Sequence, residues 1–211
     1  MVGGKVERSI KRTVDFLIGK VYIDPKIKFD SGLKLLHISD TPSLFFSELA
    51  RLIKIMKPDY IIHTGDLVDN IKLQLHPGAI KHYEREVLSL IKILENSDAK
   101  GIYISLGNHD NGDYIRKITK KITVVDDYAL IDIEGIQVAF AHYASQILSK
   151  HATLYLFGHD LSTLSKQTED QTILNGILNI HLIELETSEI HYFDYPWGTD
   201  DARLNKRGFG I

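Results

Sequence analysis

The chain of 211 residues reads as an α/β protein, two sheets packed face to face with helices outside. Three features carry that reading. Between Lys34 and Leu106, short apolar runs alternate with segments of helical period. The order strand, helix, strand, helix, strand implies right-handed crossovers and a parallel sheet. After Ile122 the runs become strand-like and are separated by turn dipeptides. Hydrophobic residues make up 44% and charged residues 25%, the balance of a globular domain and not of a disordered one.

The elements follow in order. Ile10, Val14, Phe16 and Leu17 fit a short amphipathic helix, and Val21–Ile23 a short strand. Residues 34–39 (KLLHIS) are the first buried strand. Thr41 as N-cap and Pro42 at the first helical position open a helix. Its apolar face is Phe45, Leu49, Leu52, Ile53 and Met56, and Pro58 helps to stop it. Residues 59–64 (DYIIHT) form the second strand, and His76-Pro77 opens a helix with Ile80, Tyr83, Val87, Leu90, Ile91 and Leu94 on one face. Residues 101–106 (GIYISL) are the third strand and 113–121 a shorter helix. Beyond them ITVV, YALIDI, IQVAFAHY, ATLYLFG, ILNIHLIEL and EIHYFDY read as strands, with turns at Glu134-Gly135, Asn175-Gly176 and Thr187-Ser188, so the second half is expected to be mostly antiparallel. The expected organisation is an N-terminal extension over 1–33, a domain over 34–195 and a charged, glycine-containing tail over 196–211.

Composition excludes several classes of function. With no Cys there is no disulfide, thiolate zinc site or Cys nucleophile. The net charge of −3, from 25 basic and 28 acidic residues, gives no general field for nucleic acid. No apolar run approaches the roughly 18 residues of a membrane span, and the N-terminal residues lack the order of a signal peptide. A cytoplasmic protein without a membrane partner is expected.

The chemistry gathers at strand ends. The first three strands end in Ser39-Asp40-Thr41-Pro42, in Gly65-Asp66 and the residues to Asn70, and in Gly107-Asn108-His109-Asp110. Two later strands end in Ala141-His142-Tyr143 and Gly158-His159-Asp160. In open α/β sheets ligands bind outside the carboxyl ends of the strands, so these clusters should meet along one edge. Pooled, Asp40, Asp66, Asn108, His109, His142 and His159 form a set of oxygen and imidazole donors. That set suits Mn²⁺, Fe²⁺, Zn²⁺, Co²⁺ or Ni²⁺ and not Ca²⁺. Glycines beside them allow the backbone to turn sharply away from each strand.

GDLVD at 65–69 and GNHD at 107–110 resemble the second and third motifs of the calcineurin-like metallophosphoesterases. HISD at 37–40 is similar to the first motif, AHYAS at 141–145 to the fourth and FGHD at 157–160 to the last, in the same order. The resemblance implies a four-layer α/β/β/α sandwich, two mixed sheets flanked by helices, with two metals at the strand ends. It implies that Asp66 bridges the metals, that Asn108, His142 and His159 complete one site, and that Asp40 binds the other. His109 would steady the phosphate or protonate the leaving oxygen, and Asp110 could orient His109. Two positions depart from the family pattern. Pro42 and Leu161 stand where a His is usual, and both missing imidazoles belong to the same metal.

The resemblance therefore implies one tight divalent ion and one labile one, with Asp160 the nearest substitute ligand in sequence. The activity implied is hydrolysis of a phosphate mono- or diester. The alternative is a catalytically degenerate member of the fold acting as a binding scaffold, and a nuclease is a weaker third reading, opposed by the net charge. The other histidines read differently. His37 and His63 are expected to be hydrogen-bonded core residues, His76 a cap or groove residue, and His82, His151, His181 and His191 surface or sheet positions. Asp69 is expected to tie its loop together, and the basic run Arg116, Lys117, Lys120 and Lys121 to face solvent. Loop 70–80 and the tail hold no readable pattern.

Overall fold

The computed structural model describes residues 3–27, 29 and 32–204. Helix α1 spans Gly3–Leu17, longer than the short helix expected. The predicted strand at Val21 does not form. The backbone N–H of Val21 donates to the Glu48 carboxylate, and its carbonyl accepts from Arg51, so side chains take the bonds a partner strand would make.

Strand β1 (Lys34–Ile38) is followed by a 3₁₀ turn, Ser43–Phe45, that runs into α2 (Phe46–Met56). Thr41 is not the N-cap. Its hydroxyl donates to the Leu67 carbonyl and lies 2.9 Å from His63 Nε2, so it ties two strand-end loops together. The apolar face of α2 is buried as its spacing predicts, and Lys57, at φ 48°, ends the helix just before Pro58. Strand β2 (Tyr60–His63), a 3₁₀ turn at Pro77–Ala79, α3 (Ile80–Glu95), β3 (Gly101–Ser105), α4 (Gly112–Ile118) and β4 (Ile122–Val125) complete the crossover half. Asn111 caps α4 by accepting from the Tyr114 N–H.

The second half holds β5 (Tyr128–Ile133), β6 (Ile136–Ala141), the single turn α5 (Ala144–Ile147) and β7 (Leu154–Phe157). Then come the two-residue β8 (Lys166–Gln167), β9 (Thr172–Asn175), β10 (Ile180–Glu184), β11 (Ile190–Phe193) and α6 (Thr199–Arg203). One sheet has the order β11-β10-β1-β2-β3-β4 and the other β5-β6-β7-β9-β8. In the first, β1 to β4 are parallel while β10 and β11 are antiparallel. In the second, β6, β7 and β9 are parallel, with antiparallel edges β5 and β8. The mostly antiparallel second half is thus corrected: its core is a parallel trio, and its last two strands leave to join the first sheet. The architecture is the four-layer sandwich, two mixed sheets flanked by helices.

Period-two burial builds the layers. Leu36 and Ile38 face α2 and α3, whereas Leu35 faces the second sheet together with Ile62, Val138, Phe140, Leu156, Leu174 and Ile183. On the far side of β6 and β7, Ala139, Ala141, Tyr155 and Phe157 pack under Ala144 and Ile147 of α5. Truncating one of the fully buried leucines, such as Leu36, to alanine would cost about 2–5 kcal/mol. Because β1, β2 and β3 are mutually parallel, as are β6 and β7, five strands end at one rim. Asp40, Asp66, Asn108, His142 and His159 follow those five ends. Among the described residues no helix is long and apolar enough to cross a membrane.

Candidate metal centre

The rim brings Asp40, Asp66, His142 and His159 together: each offers a ligand atom, and all four atoms lie within 4.8 Å of one another. The first three residues are buried, while His159 is exposed and lies at the mouth. Two donors on one transition ion, each at about 2.1 Å, are at most roughly 4.2 Å apart, so a small inward shift closes this set around a cation. Asn108 adjoins it, with Oδ1 3.2 Å from His142 Nε2.

Hydrogen bonds fix how these groups present themselves. His142 Nδ1–H donates to the Thr64 carbonyl at 2.7 Å, which leaves the Nε2 lone pair facing the cluster. That lone pair lies 3.2 Å from Asn108 Oδ1 and 3.6 Å from Asp66 Oδ2. The Asn108 amide donates to Gln74 Oε1 at 2.9 Å and lies 3.1 Å from His109 Nε2, so its oxygen is the atom turned toward His142. Three atoms with lone pairs to offer thus converge, an arrangement that a divalent cation satisfies. Asp66 adds to this. Burial, then the carboxylates of Asp110, Asp40 and Asp69, push its pKa well above the usual carboxylate range. The donor set fits a borderline divalent ion of the Mn²⁺, Fe²⁺, Zn²⁺, Co²⁺, Ni²⁺ group.

The loops are shaped for close approach. A Cβ on Gly107 would lie 2.2 Å from Asp66 Oδ1, and one on Gly158 2.4 Å from Asp40 Oδ2. Asp40 Oδ2 accepts from the Ser39 hydroxyl at 2.5 Å and from the His159 N–H at 3.1 Å, and Asp66 Oδ1 from the His109 N–H at 3.0 Å. Tyr143 stacks edge-on against both His142 and His159, with ring centroids 4.8 and 4.5 Å away, and donates its hydroxyl to Asn108 Oδ1.

A family model for calcineurin-like phosphoesterases matches residues 33–205. The chain belongs to that family. Membership in the calcineurin-like phosphoesterases implies divalent metal ions and hydrolysis of phosphate esters in general terms. The UDP-2,3-diacylglucosamine pyrophosphatase LpxG of Chlamydia trachomatis is 34% identical over 101 residues, covering 44% of this chain and 28% of that protein. The match therefore spans less than a third of that relative's length. Among solved structures, a novel archaeal phosphodiesterase superposes with a TM-score of 0.55 at 18% identity, over 76% of this chain and 98% of that one. The E. coli phosphoesterase YfcE superposes with a TM-score of 0.53 at 12% identity, over 78% of this chain and all (100%) of that one. At these identities the likeness is one of fold.

The remaining predicted positions are placed as follows. His109 is buried; its ring, with Asp66 and Asp69, forms a second group whose ligand atoms lie within 4.8 Å of one another. Its Nδ1 is buried with no hydrogen-bond partner among the described residues. Burial first, then the nearby cationic Lys72, lowers the ring's pKa to about 4, so it is neutral at neutral pH. Asp110 does not reach that ring: its carboxylate accepts from the N–H groups of Asp66, Leu67 and Gly107 and from the Tyr83 hydroxyl, all at 2.8–3.0 Å. It holds the two glycine loops in register. Asp160 lies outside both groups of possible metal-binding side chains at this rim; Ser162 and Thr163 donate to its carboxylate and hold its pKa down near 2. His181, read as a surface or sheet position, is buried.

Sequence reasoning passes over Lys72, Gln74, Tyr143 and Arg203. Tyr143 lies inside a quoted motif, which is the one signal that marks it. Arg203 is 3% exposed, and its guanidinium donates to the backbone carbonyls of Ser39, Asp40 and Ile177.

Proposed function

We propose that the protein hydrolyses a phosphate mono- or diester, with a tight transition-metal ion held by Asp66, Asn108, His142 and His159 and a weaker second position at Asp40. The observation that carries this is the convergence at the rim of five strands of ligand atoms from Asp40, Asp66, His142 and His159, all within 4.8 Å of one another, with Asn108 Oδ1 3.2 Å from His142 Nε2. A divalent ion held there supplies charge neutralisation at phosphate oxygens and acidifies a water.

The chain's own residues supply the rest. The Thr64 carbonyl keeps the proton of His142 on Nδ1 and the ring in one orientation. Gln74 holds the Asn108 amide so that its oxygen faces the cluster. With Nε2 accepting from the Asn108 amide, His109 carries its proton on Nδ1, the buried atom without a partner among the described residues, and the ring's part in the reaction is to steady the groups around Asp66 and Asp69. His159, exposed at the mouth, leaves the centre open to substrate.

Purified protein should cleave p-nitrophenyl phosphate or bis(p-nitrophenyl) phosphate when Mn²⁺ is added, and Asn108→Ala and His142→Ala should each bring the rate to background. Absence of turnover with all of Mn²⁺, Ni²⁺, Co²⁺, Fe²⁺ and Zn²⁺ overturns the proposal. The related pyrophosphatase supports adding a nucleotide pyrophosphate diester to the substrates tried. Pro42 and Leu161, in place of two imidazoles, favour the scaffold as the second reading, and the same absence of turnover is what it expects. A cytoplasmic setting, a phosphate-ester partner and no reliance on nucleic acid belong to the proposal; the lack of Cys and the near-neutral charge support them.

A further inference from the structure

We propose that the ammonium of Lys72 is a phosphate-binding cation that takes over the phosphate-binding role of the weakened second metal position, which stays unfilled in the working centre. The centre then works with one divalent ion and one fixed organic charge. This rests on the phosphoesterase reading above.

The second metal position is short of donors. Pro42 and Leu161 carry no donor, Leu161 is exposed, and Asp160 is engaged by its own turn. Lys72 lies beside the site, ion-paired to Asp69, whose own carboxylate is grouped with Asp66 and His109. The ammonium is therefore one hydrogen bond away from that second group. Its charge is felt at both His109 and His159, where it adds to the effect of burial.

Lys72 is held there, not free on a loop. The side chain of Asn70 accepts from the Ser43 N–H at 2.7 Å, Ile71 is buried, and the Lys72 carbonyl accepts from the N–H groups of Leu75 and His76. The Lys72 side chain is only 18% exposed. An ammonium has three N–H donors, and among the described residues Asp69 accepts its one hydrogen bond, which leaves two for a ligand. Charge gives the same result. Asp40, Asp66 and Asp69 bring three carboxylates to the rim and Asp110 lies behind Asp66, so a single divalent ion leaves negative charge that the Lys72 ammonium beside Asp69 offsets in part. A phosphate can then enter without a second divalent ion. The ordinary role for such a pair is to staple the loop, and the test separates the two.

The chain has no Cys, so Lys72→Cys carries a unique thiol that 2-bromoethylamine converts to an aminoethyl side chain of nearly lysine length. Three quantities are read on the Mn²⁺-loaded protein: ions per chain, affinity for inorganic phosphate by calorimetry, and turnover. The wild type should hold one ion per chain. Lys72→Cys should keep that ion, bind phosphate at least about tenfold more weakly and turn over about 10²-fold more slowly; aminoethylation should restore most of both. Lys72→Gln, which can still hydrogen-bond to Asp69, should melt like the wild type and show the same loss of phosphate affinity. Two ions per wild-type chain, wild-type phosphate affinity in Lys72→Gln, or no recovery on aminoethylation overturns the proposal. A wild type without turnover sinks the phosphoesterase reading alone, because phosphate affinity still decides the role of Lys72.

Discussion

Three of the candidate ligands occupy backbone conformations that L-residues avoid. Asp40, Asp66 and His159 have φ of 50°, 52° and 62°, in the left-handed region that costs a non-glycine residue roughly 1–2 kcal/mol. Asp and His tolerate that region better than most residues, yet glycine would be more stable there. Lys57, Glu134 and Ser188 hold the same conformation at turns away from the rim, so retention for binding has to be told apart from turn-making. His159→Gly separates the two effects. The metal-free variant should melt at the wild-type temperature or about 2–4 °C higher, while affinity for Mn²⁺ drops at least about tenfold; a lower melting temperature would show that packing on Tyr143 outweighs the strain. Asp110 is the opposite case, a carboxylate spent on structure. Asp110→Ala leaves three backbone N–H groups and the Tyr83 hydroxyl without their acceptor. At about 1–3 kcal/mol each, that is enough to unfold a domain. Tyr83→Phe removes one donor to Asp110 and the acceptor of the Asn111 N–H, and at about 1–3 kcal/mol for each it should lower stability in urea unfolding with Mn²⁺ affinity unchanged. The candidate ligand set is legible in the sequence because each member follows an apolar run, and Asp66, Asn108 and His159 also stand beside a glycine. Lys72 is not legible: it is one lysine in a loop without period, and its position comes from the tie between Asn70 and Ser43, 27 residues apart.

Strands β1 and β10 carry a titratable pair between the sheets. His37 and His181 are cross-strand partners, stacked with centroids 5.2 Å apart and Nδ1 atoms 3.2 Å apart, and His37 Nε2 lies 3.1 Å from the Thr64 hydroxyl. One arrangement satisfies every donor: His181 Nδ1–H donates to His37 Nδ1, and His37 Nε2–H donates to Thr64. It leaves the partnerless His181 Nε2 as a bare lone pair and requires both rings to be neutral. Burial lowers His181 to about 3, and burial with the neighbouring His181 and His63 lowers His37 well below its ordinary 6.5. Because the folded values lie below the unfolded ones, the unfolded chain binds more protons between them. Stability is present in full above about pH 6.5 and is lost as pH falls toward 3, at up to about 1.4 kcal/mol per pH unit for each ring. The raised carboxylates of Asp66 and Asp69 act in the opposite sense over the same range, so the pair is read from a difference: in urea unfolding between pH 7 and 4, the stability of wild type minus that of His181→Leu should carry this slope, about one proton, and a difference that does not change with pH would remove the pair as a source. The same strands show what an apolar run conveys. Such short runs mark β1, β6 and β7 as strands, but they do not give the direction of a neighbour. The parallel trio is therefore hidden, and the four-residue β9, bounded by polar turns, escapes notice.

The chain's far end closes on the loop that starts the centre. Arg203, in α6, donates to the Asp40 carbonyl at 2.6 Å, the Ser39 carbonyl at 3.2 Å and the Ile177 carbonyl at 2.8 Å, and its guanidinium lies 4.0 Å from the centroid of the Tyr195 ring. Tyr195 adds its own hydroxyl to the Ser39 and Gly176 carbonyls. The segment after Pro196 also reaches the other terminus, since the Trp197 N–H donates to the Phe16 carbonyl. Charge and glycine make these residues look like a tail, because composition reports solubility and not the burial of one arginine. The α6 portion instead clamps the turn that aims Asp40, and residues 205–211 of the expected tail lie outside the described residues. Arg203→Ala should therefore be costly in two ways at once. Hydrogen bonds from a charged donor contribute about 1.5–3 kcal/mol apiece, so a loss of at least about 3 kcal/mol is expected, seen as a melting temperature lowered by roughly 6–12 °C. Residues that orient a metal ligand change affinity by about 10–100-fold, so Mn²⁺ binding should weaken by a factor in that range even below the melting transition. Arg203→Lys keeps the charge but loses the planar fork and should recover only part of either quantity. If the alanine variant melts within about 2 °C of the wild type and binds Mn²⁺ equally well, the clamp has no role in aiming Asp40, and the strained turn at residues 39–41 is held by its own loop contacts alone.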